Sequence, residues 1–284
     1  MADRTLPIGI FDSGVGGLTV YRALHDRLPN EHFIYLGDTA RVPYGTKSLA
    51  TVERYALENS QFLASRGIKL LVVACNTASA LALPKIREQI GLDVVGVIGP
   101  GGRKAVELTR KHPAARIGVI ATEATVSSNA YLEAIRRAST EAEVVQTACP
   151  LFVPFAEEGW ADEPETRSIA ARYLTPIREF APQALVLGCT HYPILRRVIQ
   201  QTVGEDVMLV DSGEATAEEV EILLRDRGLA NPAAVSGRRE LCDDLDHFYV
   251  TDAAERFARV AERFLGTQPS KLEAIEVFGG DELR

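Results

Sequence analysis

Short apolar runs alternate with longer amphipathic segments along almost the whole chain. The runs are rich in Val, Ile and Leu, as buried strands are, while the longer segments repeat apolar residues at helical spacing. This alternation predicts an α/β fold in which parallel sheets are flanked by helices. The predicted strands are 8–11, 32–36, 69–75, 94–98, 116–121, 143–147, 184–188, 207–210 and 248–251, and the clearest predicted helices are 18–28, 49–65, 124–137, 167–180 and 217–227.

A weak internal repeat favours two similar lobes, each a mostly parallel sheet flanked by helices, with the active site in the cleft between them. Three short pairs of segments match in outline: 10–14 with 209–213, 73–77 with 187–191, and 8–10 with 117–119. Similar strand-to-helix turns also arise independently, so a true duplication stays open. The Gly-rich and Pro-containing stretch 96–102 predicts a boundary. We therefore predict a discontinuous N-terminal lobe of residues 1–98 plus 211–284 and a second lobe of residues 99–210.

Two of the predicted strands deliver a cysteine to the point where a helix would begin. Cys75 is followed by Asn76, and Cys189 is followed by Thr190, which are residue types that cap helices. The carboxyl ends of strands in open α/β folds bind ligands, and the positive end of a helix dipole favours a thiolate. A lone buried cysteine is usually a small hydrophobe. Two in matching positions instead predict two acid–base groups that face one substrate from opposite sides.

The other cysteines and the metal-ligand spacing point to no further chemistry. Cys149 and Cys242 are interpreted as structural, because neither is predicted to end a strand. No C-x-x-C pair is present, and His191 is the one potential metal ligand within four residues of Cys189, so no metal site is expected. Four cysteines without close pairing favour a reducing compartment.

Two loops have both a functional and a structural interpretation. The glycine-rich loop 12–17 follows the first strand and either presents N–H groups to an anion or forms a tight turn capped by Asp12 and Ser13. The polar loop 37–48 either covers a substrate, with Arg41, Tyr44 and Gly45 pointing into a cleft, or is an ordinary surface loop. Neither loop sequence by itself distinguishes the functional role from the structural one.

Acidic and imidazole side chains near the thiols are candidates for assisting them. His191 lies two residues after Cys189 and either hydrogen-bonds the thiol or caps the following turn. Asp12, Glu157 and Glu158 are the acidic candidates, the last two after an apolar run where burial would raise a carboxyl pKa. Glu157 and Glu158 are adjacent, so which of them assists the second thiol stays open.

Composition narrows the function class. The chain has 284 residues, 46% of them hydrophobic, and a formal net charge of −8. That charge gives no basis for binding nucleic acid or an anionic membrane surface. The apolar runs are far shorter than the ~20 residues of a membrane-spanning helix, and residues 1–7 have no signal-peptide core. We expect a cytoplasmic protein.

Ordered motifs along nearly the whole chain resemble the glutamate racemases of the cofactor-independent aspartate/glutamate racemase superfamily. The matching segments are 9–18, 35–45, 74–78, 149–154, 188–193, 210–213 and 247–249. The resemblance implies a homodimeric isomerase without cofactor or metal that encloses glutamate between two lobes. It further implies that the D-glutamate produced enters peptidoglycan.

The resemblance also implies roles for individual residues. Cys75 and Cys189 would lie on opposite faces of the substrate α-carbon, with Asp12 supporting the first thiol and Glu157 with His191 supporting the second. The implied substrate contacts are Asp12, Ser13, Tyr44, Gly45, Asn76, Thr77, Thr122, Thr125, Thr190 and His191.

Three other functions remain to be weighed. A racemase of the same superfamily acting on aspartate or another amino acid would share both cysteines. A phosphotransferase with an actin-like fold would use the Asp-x-Gly loops at 12–14 and 211–213 as paired phosphate loops, but this leaves the cysteines unexplained. A catalytically idle binding protein would not need both thiols.

Overall fold

The computed structural model describes residues 3–112, 114–232 and 239–277. Over these residues the chain forms parallel strands that alternate with helices, which confirms the α/β fold class. The strands are β1 Ile8–Asp12, β2 Phe33–Gly37, β3 Leu70–Val73, β4 Asp93–Gly96, β5 Arg116–Ala121, β6 Glu143–Ala148, β7 Ala184–Gly188, β8 Met208–Asp211, β9 His247–Val250 and β10 Leu272–Ala274.

The helices fill the connections between the strands. They are α1 Leu18–Arg27, α2 Leu49–Ser65, α3 Asn76–Leu81, α4 Leu83–Gln89, α5 Ile98–Thr109, α6 Glu123–Ser127, α7 Ala130–Ala138, α8 Phe152–Glu158, α9 Pro164–Tyr173, α10 Thr175–Phe180, α11 Arg196–Val203, α12 Ser212–Arg227 and α13 Ala254–Leu265. No helix in the described part of the chain is long and apolar enough to cross a membrane.

The strands belong to two separate sheets. The six-stranded sheet has the order β10-β9-β2-β1-β3-β4, and the four-stranded sheet has the order β6-β5-β7-β8. All neighbouring strands in both sheets are parallel. The first four strands and the next four therefore repeat one arrangement, in which the first strand lies between the second and the third.

This repeated order identifies which strands are equivalent. Strand β3 precedes Cys75, and β7 precedes Cys189. Each is the third strand of its sheet in chain order and lies beside the first strand. The match of segment 10–14 with 209–213 pairs β1 with β8, which hold different positions, so this part of the predicted repeat is wrong. Local turn chemistry explains the similarity, because Asp12 and Asp211 each accept a hydrogen bond from a glycine N–H two residues later.

Several predicted elements differ from the observed ones for local reasons. The predicted helix 124–137 is two helices, because Asn129 adopts a left-handed conformation with φ of 57°. The predicted helix 167–180 is interrupted at Leu174, where a proline enters the first turn of α10. Strand β10 was not predicted, since it has three half-exposed or exposed residues.

The Gly-rich stretch at 96–102 is not a turn. Helix α5 begins at Ile98, and its glycines allow close packing: a Cβ on Gly102 would lie 3.0 Å from the Cβ of Ala134 on α7.

The strands of the six-stranded sheet come from 8–96 and 247–274, and those of the other sheet from 116–211. Helix α12 follows β8 of the four-stranded sheet and packs against α1 of the six-stranded one.

Candidate active site

A cavity of about 310 Å³ lies at the carboxyl ends of strands from both sheets. Cys75 after β3 and Cys189 after β7 both line it. The two cysteines follow equivalent strands of different sheets. Each sheet therefore contributes one thiol to the wall of the same cavity. Strand ends of this kind are the usual ligand sites of parallel sheets.

The register of the first sheet brings Asp12 next to Cys75. Phe11 of β1 lies opposite Val73 of β3, and the Ala74 N–H donates to the Phe11 carbonyl at 2.9 Å. Strands β1 and β3 therefore end at the same level of the sheet, so the residues that follow them are neighbours. In the second sheet Gly188 lies opposite Ala121 in the same way, ahead of Cys189.

Cys75 is a buried thiol at a helix N-terminus. It precedes α3 as its N-cap, and its Sγ accepts from the Ala78 N–H at 3.5 Å and lies 3.5 Å from Ser13 Oγ. Burial, helped by the nearby Asp12 carboxylate, raises the pKa of the Cys75 thiol to about 12. Cys75 is therefore a thiol in the free protein at neutral pH.

Asp12 lies behind the first thiol and does not line the cavity. Its carboxylate is 1% exposed, and Oδ2 accepts from the Gly14 N–H at 2.9 Å. Oδ1 is buried and has no hydrogen-bond partner in the protein. Burial raises the pKa of Asp12, and His191 and nearby N–H groups offset this only in part. A buried acceptor of this kind is suited to a cationic or proton-donating partner.

The second thiol is backed by an imidazole and a carboxylate. Cys189 Sγ lies 3.8 Å from His191 Nδ1, and His191 Nε2 lies 3.0 Å from Glu157 Oε1. Burial alone would lower the pKa of His191, but its hydrogen bonds to Cys189 and Glu157 raise it to about 10. Burial raises the pKa of Glu157, yet His191 and Arg256 outweigh it and hold that pKa below its usual value.

The two thiols therefore have opposite electrostatic surroundings. A carboxylate lies near Cys75, whereas a protonated imidazole lies beside Cys189 at neutral pH. A neighbouring cation stabilises a thiolate when one forms, and a neighbouring anion opposes it. The site is built from equivalent strands but is chemically asymmetric.

The glycine-rich loop makes a close contact between the two halves of the site. A Cβ on Gly16 would lie 2.4 Å from both Thr190 Oγ1 and His191 Cε1, so only glycine fits without displacing that ring. Thr19 Oγ1 donates to the Thr190 carbonyl at 2.8 Å. Of this loop, Ser13 lines the cavity, while Gly16 packs against the His191 ring.

The loop after β2 contributes Tyr44 and Gly45 to the cavity wall. Tyr44 is 1% exposed, and its hydroxyl donates to Asp38 and accepts from Asn59 Nδ2 at 3.1 Å. Arg41, which the functional interpretation of this loop points into the cleft, does not line the cavity; its Nε donates to Asp38 Oδ2 at 2.8 Å instead. These buried bonds anchor the loop, which is therefore not an ordinary mobile surface loop.

Polar side chains of α3 and of the turn after β5 complete the wall. Thr77, Thr122 and Thr125 form a hydroxyl cluster with Oγ1 separations of 3.0 to 3.4 Å. Asn76 Oδ1 accepts from Tyr131 at 2.7 Å, whereas its Nδ2 is buried without a hydrogen-bond partner. The bond from Tyr131 thus fixes the Asn76 side chain, and its Nδ2 remains available beside the cavity as a hydrogen-bond donor.

Most residues predicted from the sequence lie on the cavity wall, and a few do not. Glu157 lines the cavity and Glu158 is exposed, so the structure brings Glu157 and not Glu158 to the second thiol. Thr125 is fully buried behind Thr122 and, like Asp12, does not line the cavity. The predicted residues on the wall are Ser13, Tyr44, Gly45, Cys75, Asn76, Thr77, Thr122, Glu157, Cys189, Thr190 and His191.

Sequence reasoning missed seven residues of the wall, five of them apolar and two of them, Thr46 and Glu123, polar. The missed lining residues are Val42, Pro43, Thr46, Glu123, Pro150, Val153 and Pro154. A signal for Pro150 and Val153 existed, because Cys149 directly follows β6. The interpretation that Cys149 lacks strand-end context was therefore wrong. Its side chain is nevertheless fully buried, and its carbonyl accepts from Tyr192.

Over the described ranges, no three His, Cys, Asp or Glu side chains are grouped so that they could hold a metal ion.

The raised pKa of Cys75 predicts its alkylation behaviour. Thiolate is the reactive form, so iodoacetamide should label Cys75 in the folded free protein about tenfold faster for each pH unit between 7 and 10. Peptide mass spectrometry measures the rate, with the urea-unfolded chain as a control that should level off near pH 9. A plateau near pH 8 in the folded protein would contradict the assigned thiol state.

Comparison with known proteins agrees with this geometry. The family model described as Asp/Glu/Hydantoin racemase matches residues 8–220. A glutamate racemase from Geobacter metallireducens is 54% identical over 259 residues, covering 91% of this chain and 92% of that protein. A glutamate racemase structure from Bacillus anthracis is 35% identical, with a TM-score of 0.90 and coverage of 97% of this chain and 99% of that one.

A second solved structure, of glutamate racemase from Francisella tularensis in complex with D-glutamate, is 38% identical with a TM-score of 0.87. It covers 97% of this chain and 99% of its own. Sequence and fold are thus shared with these racemases over nearly the full length. The chain belongs to the Asp/Glu/hydantoin racemase family.

Proposed function

We propose that the chain is a glutamate racemase that interconverts L- and D-glutamate with two thiols and no cofactor. The observation that carries this proposal is the shared cavity, where equivalent strands of two sheets each present one cysteine. The full-length similarity to glutamate racemases supports glutamate as the substrate. The role that follows is the supply of D-glutamate for peptidoglycan by a cytoplasmic enzyme, which we expect to be a homodimer.

Inversion at the α-carbon needs one group to remove a proton and another to deliver one to the opposite face. In the L-to-D direction, the Cys189 thiolate takes the α-proton, and the electrons of the C–H bond delocalise into the α-carboxylate. The Cys75 thiol then donates its proton to the other face. The reverse direction exchanges the roles, with this handedness assigned from the family resemblance.

The supporting residues give the two thiols different electrostatic surroundings. The protonated His191, held by Glu157, stabilises negative charge on Cys189. Cys75 starts as a thiol because it is buried near Asp12. Cys75 therefore starts as the proton donor that the L-to-D direction needs. For D-glutamate, the substrate ammonium group approaching Asp12 and Cys75 would favour the Cys75 thiolate.

Hydrogen-bond donors on the wall would stabilise the carbanion. The unused Nδ2 of Asn76 and the hydroxyls of Thr77 and Thr190 are donors for substrate carboxylates. Charge that develops in a buried site is stabilised most by donors that are already oriented. Thr122 lies on the wall beside Thr77, and buried Thr125 is within hydrogen-bond distance of both hydroxyls, so Thr125 orients them from behind.

The alternative functions fit less well. The phosphotransferase interpretation needs the loops 12–14 and 211–213 to share a site, but no residue of 211–213 lines the cavity. Asp211 instead caps α12 by accepting from the Gly213 N–H at 2.7 Å. An aspartate racemase would share the thiols, and the similarity to glutamate racemases over the full chain favours glutamate.

Circular dichroism of L- and D-glutamate incubated with the purified protein tests the proposal. Both enantiomers should approach a racemic mixture, aspartate should react far more slowly, and dialysis against a chelator should leave the rate unchanged. Activity on aspartate alone would establish the alternative racemase, and activity that disappears with the chelator and returns with metal would refute the thiol mechanism.

Single-cysteine variants test the assignment of each face. Cys75→Ser and Cys189→Ser should each lower racemisation by roughly 100-fold or more, because a hydroxyl is a much weaker acid than a thiol. Elimination from a β-substituted glutamate analogue needs only deprotonation. Cys75→Ser should therefore process the L-analogue and Cys189→Ser the D-analogue.

Product formation from both enantiomers with both variants gives the readout. The opposite pairing would exchange the roles of the two cysteines. Equal use of both enantiomers by one variant would refute the opposite-face geometry.

A further inference from the structure

Helix α13 of the six-stranded half contacts the support of the second thiol, which belongs to the other half. Arg256 Nη2 donates to Glu157 Oε2 at 3.1 Å, and Arg263 Nη1 donates to the Glu157 carbonyl at 2.5 Å. Phe264 packs its ring edge-to-face against His191, with centroids 5.8 Å apart. Three residues of one helix therefore surround the Glu157–His191 pair.

The contacts of Glu157 divide between its two carboxylate oxygens. Oε1 faces His191 Nε2 at 3.0 Å, and Oε2 faces Arg256. A carboxylate held at both oxygens has a fixed plane, and that plane fixes the direction of the imidazole ring it binds. The ring direction in turn sets whether Nδ1 points at Cys189 Sγ, 3.8 Å away.

We propose that Arg256 is a positioning residue for the second thiol, holding Glu157 so that His191 faces Cys189. This inference rests on the proposed racemase function. Arg256 does not line the cavity that holds both cysteines and acts through Glu157. Because α13 and Glu157 belong to different halves of the fold, the same bond also joins the halves beside the cavity.

The charge of Arg256 adds to its geometric effect. Without this cation the Glu157 carboxylate would be less stable as an anion, and its hold on protonated His191 would weaken. The groups facing Glu157 are His191, Arg256 and Arg263, and Cys189 and Asp12 also act on His191. The side chain of Arg256 is 58% exposed, so its contribution is modest and its replacement should leave the fold intact.

Arg259 provides a matched control on the same helix. It is exposed and lines the same small surface pocket as Glu157 and Arg256. In the described residues, however, Glu157 is hydrogen-bonded to Arg256 and Arg263 and not to Arg259. Arg259→Gln removes the same charge from the same helix as Arg256→Gln. The pair of variants therefore separates a specific contact from a general loss of positive charge.

The experiment compares Arg256→Gln, Arg256→Lys and Arg259→Gln in two assays. Racemisation kcat/KM should fall roughly tenfold for Arg256→Gln, since a charge-assisted hydrogen bond at a half-exposed position has a modest effect. It should fall by the same factor in both directions, because the equilibrium between enantiomers is fixed. Arg256→Lys should recover part of the loss, and Arg259→Gln should match the wild type.

The elimination assay shows which thiol is affected. Arg256→Gln combined with Cys75→Ser should slow elimination from the L-analogue, which uses Cys189. Combined with Cys189→Ser, it should leave elimination from the D-analogue unchanged, because that reaction uses Cys75. Thermal unfolding followed by far-ultraviolet circular dichroism should show the same midpoint for the Arg256 and Arg259 variants.

The outcomes separate this inference from the proposed function. If the wild type does not racemise glutamate, the proposed function fails. If the wild type is active and Arg256→Gln matches Arg259→Gln, or if both elimination reactions slow equally, the positioning role of Arg256 is refuted.

Discussion

The buried position of two thiols at the carboxyl ends of equivalent strands is the constraint on which the rest of the site depends. In both sheets that strand is followed within two residues by a buried cysteine. Cys75 is the N-cap of α3, whereas Cys189 precedes a short 3₁₀ turn, Tyr192–Leu195, so the helix start predicted directly after Cys189 is not observed. Because the sheets are separate, the two sulfurs approach one cavity from different halves of the molecule. Inversion of a carbon centre requires that kind of two-sided access. In the proposed function, Cys75 and Cys189 are the acid–base pair that uses this access.

The two thiols follow equivalent strands, but the side chains around them differ in charge. Asp12 reaches Cys75 because β1 and β3 end at the same level, whereas His191 reaches Cys189 through the turn that follows it. One thiol therefore lies near an anion and the other near a cation. The substrate carries an ammonium group and two carboxylates, so its binding can redistribute these charges. The repeated fold sets the positions of the sulfurs, and the neighbouring side chains give each sulfur a different electrostatic environment.

Local patterns in the sequence were sufficient for the fold class, for most strands and for both cysteines. Apolar runs mark buried strands, and a cysteine at the end of such a run marks the cavity. The patterns failed where tertiary contacts decide the outcome: the glycines of α5 look like a turn but allow helix packing against Ala134. The choice between Glu157 and Glu158 depends on which side of α8 faces His191. Arg256 follows Glu157 by 99 residues, so no local pattern indicates their contact.

Isotope incorporation during racemisation in D₂O tests the two-thiol account most directly. With separate groups on the two faces, D-glutamate formed early from L-glutamate carries deuterium at the α-carbon, while the remaining L-glutamate stays almost free of it. Proton nuclear magnetic resonance combined with chiral separation measures both pools at low conversion. We expect deuterium in the product and not in the remaining substrate. Deuterium entering both pools at the same rate, or a product that retains the substrate proton, would contradict the account.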